Sequence, residues 1–232
     1  MVKTVYSIGC SHTNGCMIDG INGTSKVNKQ NSFAGQIAKR LKATHYNLSL
    51  NGASNQYIFR IANQVVAQVT DSDDTLFIIG WTSPTRLELR EDNKIFPGHP
   101  EGYDNNYIPF SVGANKDNFS KEYKRLLNDA PALCNITMLI DHWTCYIIAL
   151  QNLFAQHKIR YIMCNTMQPI EQTSNNSDMI KMIDTSNYYK PFDVDESFYN
   201  WANLNYERTP CHHFPLKAHK DFAVKIMKEM KL

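Results

Sequence analysis

The chain has 232 residues, 43% of them hydrophobic, enough to bury a sizeable core. Its net charge of +2 and its lack of a Lys/Arg block remove the electrostatic footprint of a nucleic-acid binder. No apolar stretch approaches the roughly 20 residues that span a bilayer, and the apolar N-terminal segment is too short for a signal peptide, so a cytoplasmic chain is the default expectation. The six cysteines are scattered with no C-x-x-C pair, which reads as reduced thiols.

Residues 3–9 alternate and then run apolar, predicting a first strand that stops at Gly9. Residues 10–30 are polar and rich in Gly and Asn, and read as a long loop. Ser32 caps a predicted helix over 32–43, with Phe33, Ile37, Ala38 and Leu41 on one face. A short strand at 45–50 leads to an Asn51-Gly52 turn, after which Ser54 or Asn55 caps a helix over 55–70. Thr75 to Gly80 is a continuous apolar run of the kind that fills a central parallel strand.

Residues 81–117 break the pattern, being rich in Pro, Gly, Asn and aromatics. They read as an insertion or lid after the third strand, with a hairpin near 85–96. Helices are predicted near 118–128 and 135–157, a fourth strand at 159–164, and short helical pieces over 165–212. Pro215 opens a terminal helix to about 230. Strands alternating with helices across short joints predict a three-layer α/β/α sandwich on a mostly parallel sheet, with residues 1–232 as a single domain.

Two residues stand out for chemistry. Ser11 follows the first strand's break at Gly9, and His213 immediately precedes the terminal helix. In such a sandwich the first strand's end and the last loop meet at one edge of the sheet, where a Ser and a His form a nucleophile–base pair. His212 and His219 are rivals to His213, the second because it lies within the terminal helix. His12 reads as a loop histidine lining the site.

At these residues the chain resembles the SGNH (GDSL-like) hydrolase superfamily, in a divergent form associated with bacteriophages. Gly9-Cys10-Ser11-His12-Thr13 is similar to the block that carries the nucleophile, and Asn51-Gly52-Ala53-Ser54-Asn55 to the block whose glycine amide serves the oxyanion hole. Gly80-Trp81-Thr82-Ser83 stands at the third block, and His213-Phe214-Pro215 at the block that ends on the catalytic His. The resemblance implies an acyl-ester hydrolase or acyl transferase with Ser11 and His213 catalytic, Gly52 and Asn55 serving the oxyanion, and no cofactor or metal. Its partner would be a small-molecule ester, with neither a nucleic acid nor a membrane.

The departures are specific. Cys10 replaces the usual acidic residue, Thr82 stands where an oxyanion Asn is expected, and Pro210 occupies the place of the triad Asp. A Ser–His pair with an oxyanion hole retains activity without the acid, and a backbone carbonyl can orient the His instead. Trp81, Thr82 and Arg86 read as substrate-binding residues beside the third strand's end. For Arg86 the alternative is a solvated pair with Glu88, two residues on. For Asn55 it is a helix cap.

Two further readings use the same fold. One is a binding protein that kept the architecture and lost the machinery. The other is a zinc site drawn from Cys10, His12, Cys16, Cys211, His212 and His213, whose spacings match no compact zinc motif.

Overall fold

A computed structural model describes residues 1–18, 25–90, 99–103, 106–111, 121, 124–125, 128, 135–171, 177–209 and 212–232. Five parallel strands form its central sheet: β1 (Thr4–Gly9), β2 (Thr44–Asn47), β3 (Thr75–Trp81), β6 (Arg160–Asn165) and β7 (Tyr188–Tyr189). Their order across the sheet is β2-β1-β3-β6-β7. Every residue of β3 is buried, as its unbroken apolar run requires of a strand covered on both faces.

Helices cover the two faces. On one, α4 (Asn55–Val66) and α5 (Ile136–Gln156) pack Ile58, Ile61, Ile147 and Phe154 against Ile8, Phe77 and Ile79. On the other, α3 (Phe33–Leu41) and α8 (Leu216–Glu229) pack Phe33, Ile37, Phe222 and Ile226 against Val5, Leu76 and Ile78. This is the three-layer α/β/α sandwich on a parallel sheet that the alternation of elements predicted. Among the described residues no helix is long and apolar enough to cross a membrane.

The predicted caps are formed. Ser32 Oγ accepts from the Gly35 amide at 3.2 Å, and Ser54 Oγ from the Tyr57 amide at 2.9 Å. Ser54 rather than Asn55 is therefore the cap of α4, and the Asn55 side chain is available for another purpose.

Three expectations change. The stretch 10–30 is not all loop: it holds α1 (Ser11–Asn14) and α2 (Lys26–Asn31), the second capped by Ser25, whose Oγ accepts from Asn28 N at 3.1 Å. The helix predicted over 55–70 ends at Val66. The hairpin near 85–96 is instead an antiparallel ribbon of β4 (Arg86–Arg90) with β5 (Tyr107–Ser111). Its partner lies farther on because Glu91-Asp92-Asn93-Lys94 offers nothing apolar, whereas Phe110 and Ile108 stand opposite Leu87 and Leu89 and close a small core. The helix predicted near 118–128 falls for the most part outside the described residues, as does Phe96 of the insertion.

The remaining elements are short. α6 (Ser177–Lys181) precedes β7, and α7 (Phe198–Asn205) packs Phe198 and Ala202 beneath α8.

Candidate active site

The register of β1 against β3 builds the site. Gly9 stands beside Gly80, so Ser11 and Thr82, each two residues further on, leave the sheet side by side at its C-terminal edge. This is the edge where parallel α/β sheets place their ligands.

Glycine is needed at both strand ends. A Cβ on Gly9 would lie 2.2 Å from Thr13 Oγ1, and one on Gly80 would lie 2.1 Å from the same atom. Thr13, fully buried, thus fills a notch between two bare backbones and pulls α1 down onto the sheet. The helix lasts one turn, because Gly15 adopts φ +76° and ends it. Ser11 is held at its first position and retains 8% exposure.

Cys10 faces the other way. Its thiol lies 3.2 Å from Thr166 Oγ1, and the Thr166 hydroxyl donates to the Trp81 carbonyl at 2.7 Å. With that hydroxyl proton committed, the thiol is the donor of the first bond. Cys10 is fully buried and locks β1 to the loop after β6.

Gly52 sits in a turn with φ +80°, a backbone state that a side chain would strain. Leu50 N donates to Gly9 O at 3.0 Å, and Asn14 Nδ2 donates to Asn51 Oδ1 at 2.9 Å, so the turn is tied both to β1 and to α1. Gly52 is exposed beside Ser11's helix, and Pro109 of β5 lies next to it, 3.9 Å from where its Cβ would stand.

Asn55 and Thr82 belong to one unit. Thr82 N donates to Asn55 Oδ1 at 2.9 Å, and Asn55 Nδ2 donates back to Thr82 O at 3.2 Å. One Nδ2 hydrogen is left over, since the amide carries two. Thr82 itself is fully buried, and its hydroxyl accepts from Arg86 Nη1 at 3.1 Å. Trp81 is also fully buried, packed with Leu50, Tyr57 and Trp143 in the core, so it forms the floor of this region and presents no open face.

His213 arrives from the far end of the chain. Its imidazole centroid lies 5.2 Å from that of His12, the residue after Ser11. Thr209 donates to the His213 carbonyl through both its amide (2.8 Å) and its hydroxyl (3.1 Å), and the fully buried Phe214 anchors the next position. His212 takes φ +62° and is exposed, which removes it as a rival. His219 is removed for the opposite reason: it is buried, with Nδ1 accepting from Phe33 N at 3.2 Å. Burial and the neighbouring charge of His213 pull its pKa down to about 3.

His12 is 4% exposed, ringed by Phe198, Tyr199 and Phe214 with centroids 5.4 to 5.9 Å away. Burial first, then the charges of His213, His219 and Arg86, hold its pKa well below the ordinary imidazole range. It is therefore neutral at pH 7. Its Nδ1 is buried without a hydrogen-bond partner among the described residues. No acid is among these neighbours.

Among the described residues no group of three or more His, Cys, Asp or Glu side chains is placed to hold a metal ion. The zinc reading also drew on Cys211, which lies outside the described residues, as does Pro210. Sequence reasoning missed Thr13, Thr166 and Asn14. Thr13 had a signal, since it follows Gly9 by one helical turn. Thr166 had none, because its partners Cys10 and Trp81 are 156 and 85 residues away.

No family profile matches the chain, and no curated protein matches it. Solved structures similar to it include a G-D-S-L family protein from Desulfitobacterium hafniense, with 13% identity, covering 97% of this chain and 99% of that one at a TM-score of 0.48. A psychrotrophic esterase from Pseudoalteromonas has 9% identity, covering 98% and 97% at a TM-score of 0.47. A carbohydrate acetylesterase family member from Sinorhizobium meliloti has 13% identity, covering the whole of both chains at a TM-score of 0.46.

Proposed function

We propose that the chain is a divergent SGNH-type serine hydrolase that cleaves or transfers an acyl ester. One observation supports this reading: the His213 imidazole lies 5.2 Å, centroid to centroid, from that of His12, the residue after Ser11, although about 200 residues separate the two segments. In this reading Ser11 Oγ attacks the acyl carbonyl as His213 takes its proton. The backbone N–H groups of Ser11 and Gly52, with the spare Nδ2 hydrogen of Asn55, receive the developing oxyanion. Each such donor contributes about 3 kcal/mol to the transition state.

His213 then returns its proton to the leaving alcohol, and water repeats the sequence to free Ser11. The Thr209 contacts on the His213 carbonyl set the backbone of the base. The buried, neutral ring of His12 packs beside that of His213.

The test is reaction with a fluorophosphonate probe, followed by mass spectrometry. Wild type is expected to carry the label on Ser11, and Ser11→Ala to carry none. His213→Ala is expected to react at least about 10³-fold more slowly while remaining folded. A folded wild-type protein that takes no label sinks the hydrolase reading and leaves the binding protein.

A further inference from the structure

The cation at the root of the ribbon distinguishes this site from a neutral ester pocket. Arg86 opens β4, directly after the Thr82 turn, and is half-buried. Its sequence neighbour Glu88 does not neutralise it. The Glu88 carboxylate is gripped by Arg60 of α4, with Nε and Nη2 each 3.1 Å from an oxygen. Glu88 is also fixed through its backbone, its amide donating to Gln56 Oε1 at 2.9 Å. The solvated Arg–Glu pair is thus replaced by a clamp that takes the acid away from Arg86.

What remains to Arg86 is the Thr82 hydroxyl, an uncharged acceptor. A guanidinium has five N–H donors in a fixed fork, and one hydroxyl satisfies one of them. No carboxylate stands within ion-pair reach of Arg86 among the described residues. Arg86 lines a cleft between α4 and α5 together with Asn55, Gln56, His142 and Tyr146. Its charge is felt at His12, one residue from Ser11.

We infer that Arg86 is a substrate-specificity residue that binds a carboxylate on the ester, so that the preferred substrates are anionic acyl esters. The inference rests on the hydrolase reading for its turnover arm and stands apart from it in its binding arm. The fork geometry suits a planar carboxylate, which takes two parallel N–H bonds from one guanidinium. Ser11 and Thr82 leave neighbouring strands, which sit about 4.8 Å apart. Asn55, tied to the Thr82 backbone, lines the same cleft as Arg86, so a carboxylate held by Arg86 would sit on the Asn55 side of the site, and a succinyl group is the probe that spans from there toward Ser11.

The experiment compares 4-nitrophenyl hemisuccinate with neutral 4-nitrophenyl butyrate, in wild type and Arg86→Gln. Wild type is expected to favour the anionic ester by about ten-fold or more in kcat/KM, and the ratio is expected to fall about ten-fold in the variant. A ratio that does not change in Arg86→Gln, or a wild-type preference for butyrate, overturns the inference.

Equilibrium binding of N-phenylsuccinamate against neutral N-phenylbutanamide, neither of which needs turnover, is the second arm. Tighter binding of the anion that is lost in Arg86→Gln upholds the inference even if Ser11 proves unreactive. Equal binding of the two overturns it even if Ser11 takes the fluorophosphonate label.

Discussion

The candidate site has two walls built on different physics. The strand-end wall, where α1 meets β1 and β3, is held by the absence of side chains: Gly9 and Gly80 leave a notch, and Thr13 fills it. The ribbon wall, β4 with β5, closes a small apolar core of its own and is tied to the sandwich by polar groups that find each other across the fold. Arg60 grips Glu88 on β4, and its guanidinium lies 3.9 Å above the Tyr107 ring on β5. One wall fails by crowding and the other by losing a partner. That difference sets the size and the reversibility of the damage each can suffer.

The ribbon should show the larger effect. The side chains of Arg60 and Glu88 are 18% and 5% exposed, so Arg60→Ala takes a two-pronged charged partner away from a desolvated carboxylate. Removing one member of a buried pair costs about 3–5 kcal/mol, whereas replacing both with apolar residues is close to neutral. Urea unfolding of Arg60→Ala should therefore show a loss of that size, and Arg60→Met with Glu88→Leu should recover most of it. A double variant as weak as the single one would mean that the ribbon is not held by charge. The same double variant leaves Arg86 with no acid to compete for, so its ester preference is expected to survive.

The strand-end wall should fail more gently, and through sterics alone. In Gly80→Ala the new Cβ meets Thr13 Oγ1 at 2.1 Å and Thr166 Cγ2 at 2.8 Å, so α1 must shift. Overpacking of this kind costs about 1–3 kcal/mol. The fluorophosphonate reaction at Ser11 should slow with it, since α1 carries Ser11, the nucleophile of the proposed reaction. Thr13→Ala in the same chain removes the closest atom and is expected to restore part of both losses, a coupling that a double-mutant cycle measures. Additive effects would show that the notch does not position Ser11.

The contrast also explains what the sequence disclosed. The strand-end wall was legible in part, where its determinants are local: Gly9 ends the strand two residues before Ser11, and Ser32, Ser54 and Gly52 each act on a neighbour a few positions away, whereas the fit of Thr13 between Gly9 and Gly80 needed the fold. The layer order followed from the same periodicities. The ribbon was misread because no local rule says that Leu87 should wait for Phe110 rather than for a residue near 96. The apolar partners decide, and they come after a polar stretch. The clamp of Arg60 on Glu88 joins residues 28 apart on a helix and a strand, and only the fold brings them together. Asn55 was singled out, but its reciprocal tie to the Thr82 backbone was not legible, because nothing in the turn at 51–55 refers to β3.

The base side of the site offers the smallest and most selective probe, through pH. His219 lies under the His213 loop, accepting from Phe33 N with Nδ1, and its pKa in the fold is about 3. In the unfolded chain it returns to about 6.5, so between these values the unfolded state holds a proton that the folded state lacks. Stability is therefore complete above about pH 6.5 and falls as the pH drops toward 3. One unit below 6.5 this removes about 1.4 kcal/mol, or several degrees of Tm. His12, held neutral first by burial, adds to the fall with the same sign. His219→Asn, whose side-chain oxygen stands near the Nδ1 position, can still accept from Phe33 N but cannot be protonated, so its stability should lose less between pH 7.5 and 5.5 than wild type does. Parallel curves for the two proteins would place the acid sensitivity in His12 and in His45, whose pKa burial lowers to about 4, and not beneath the helix.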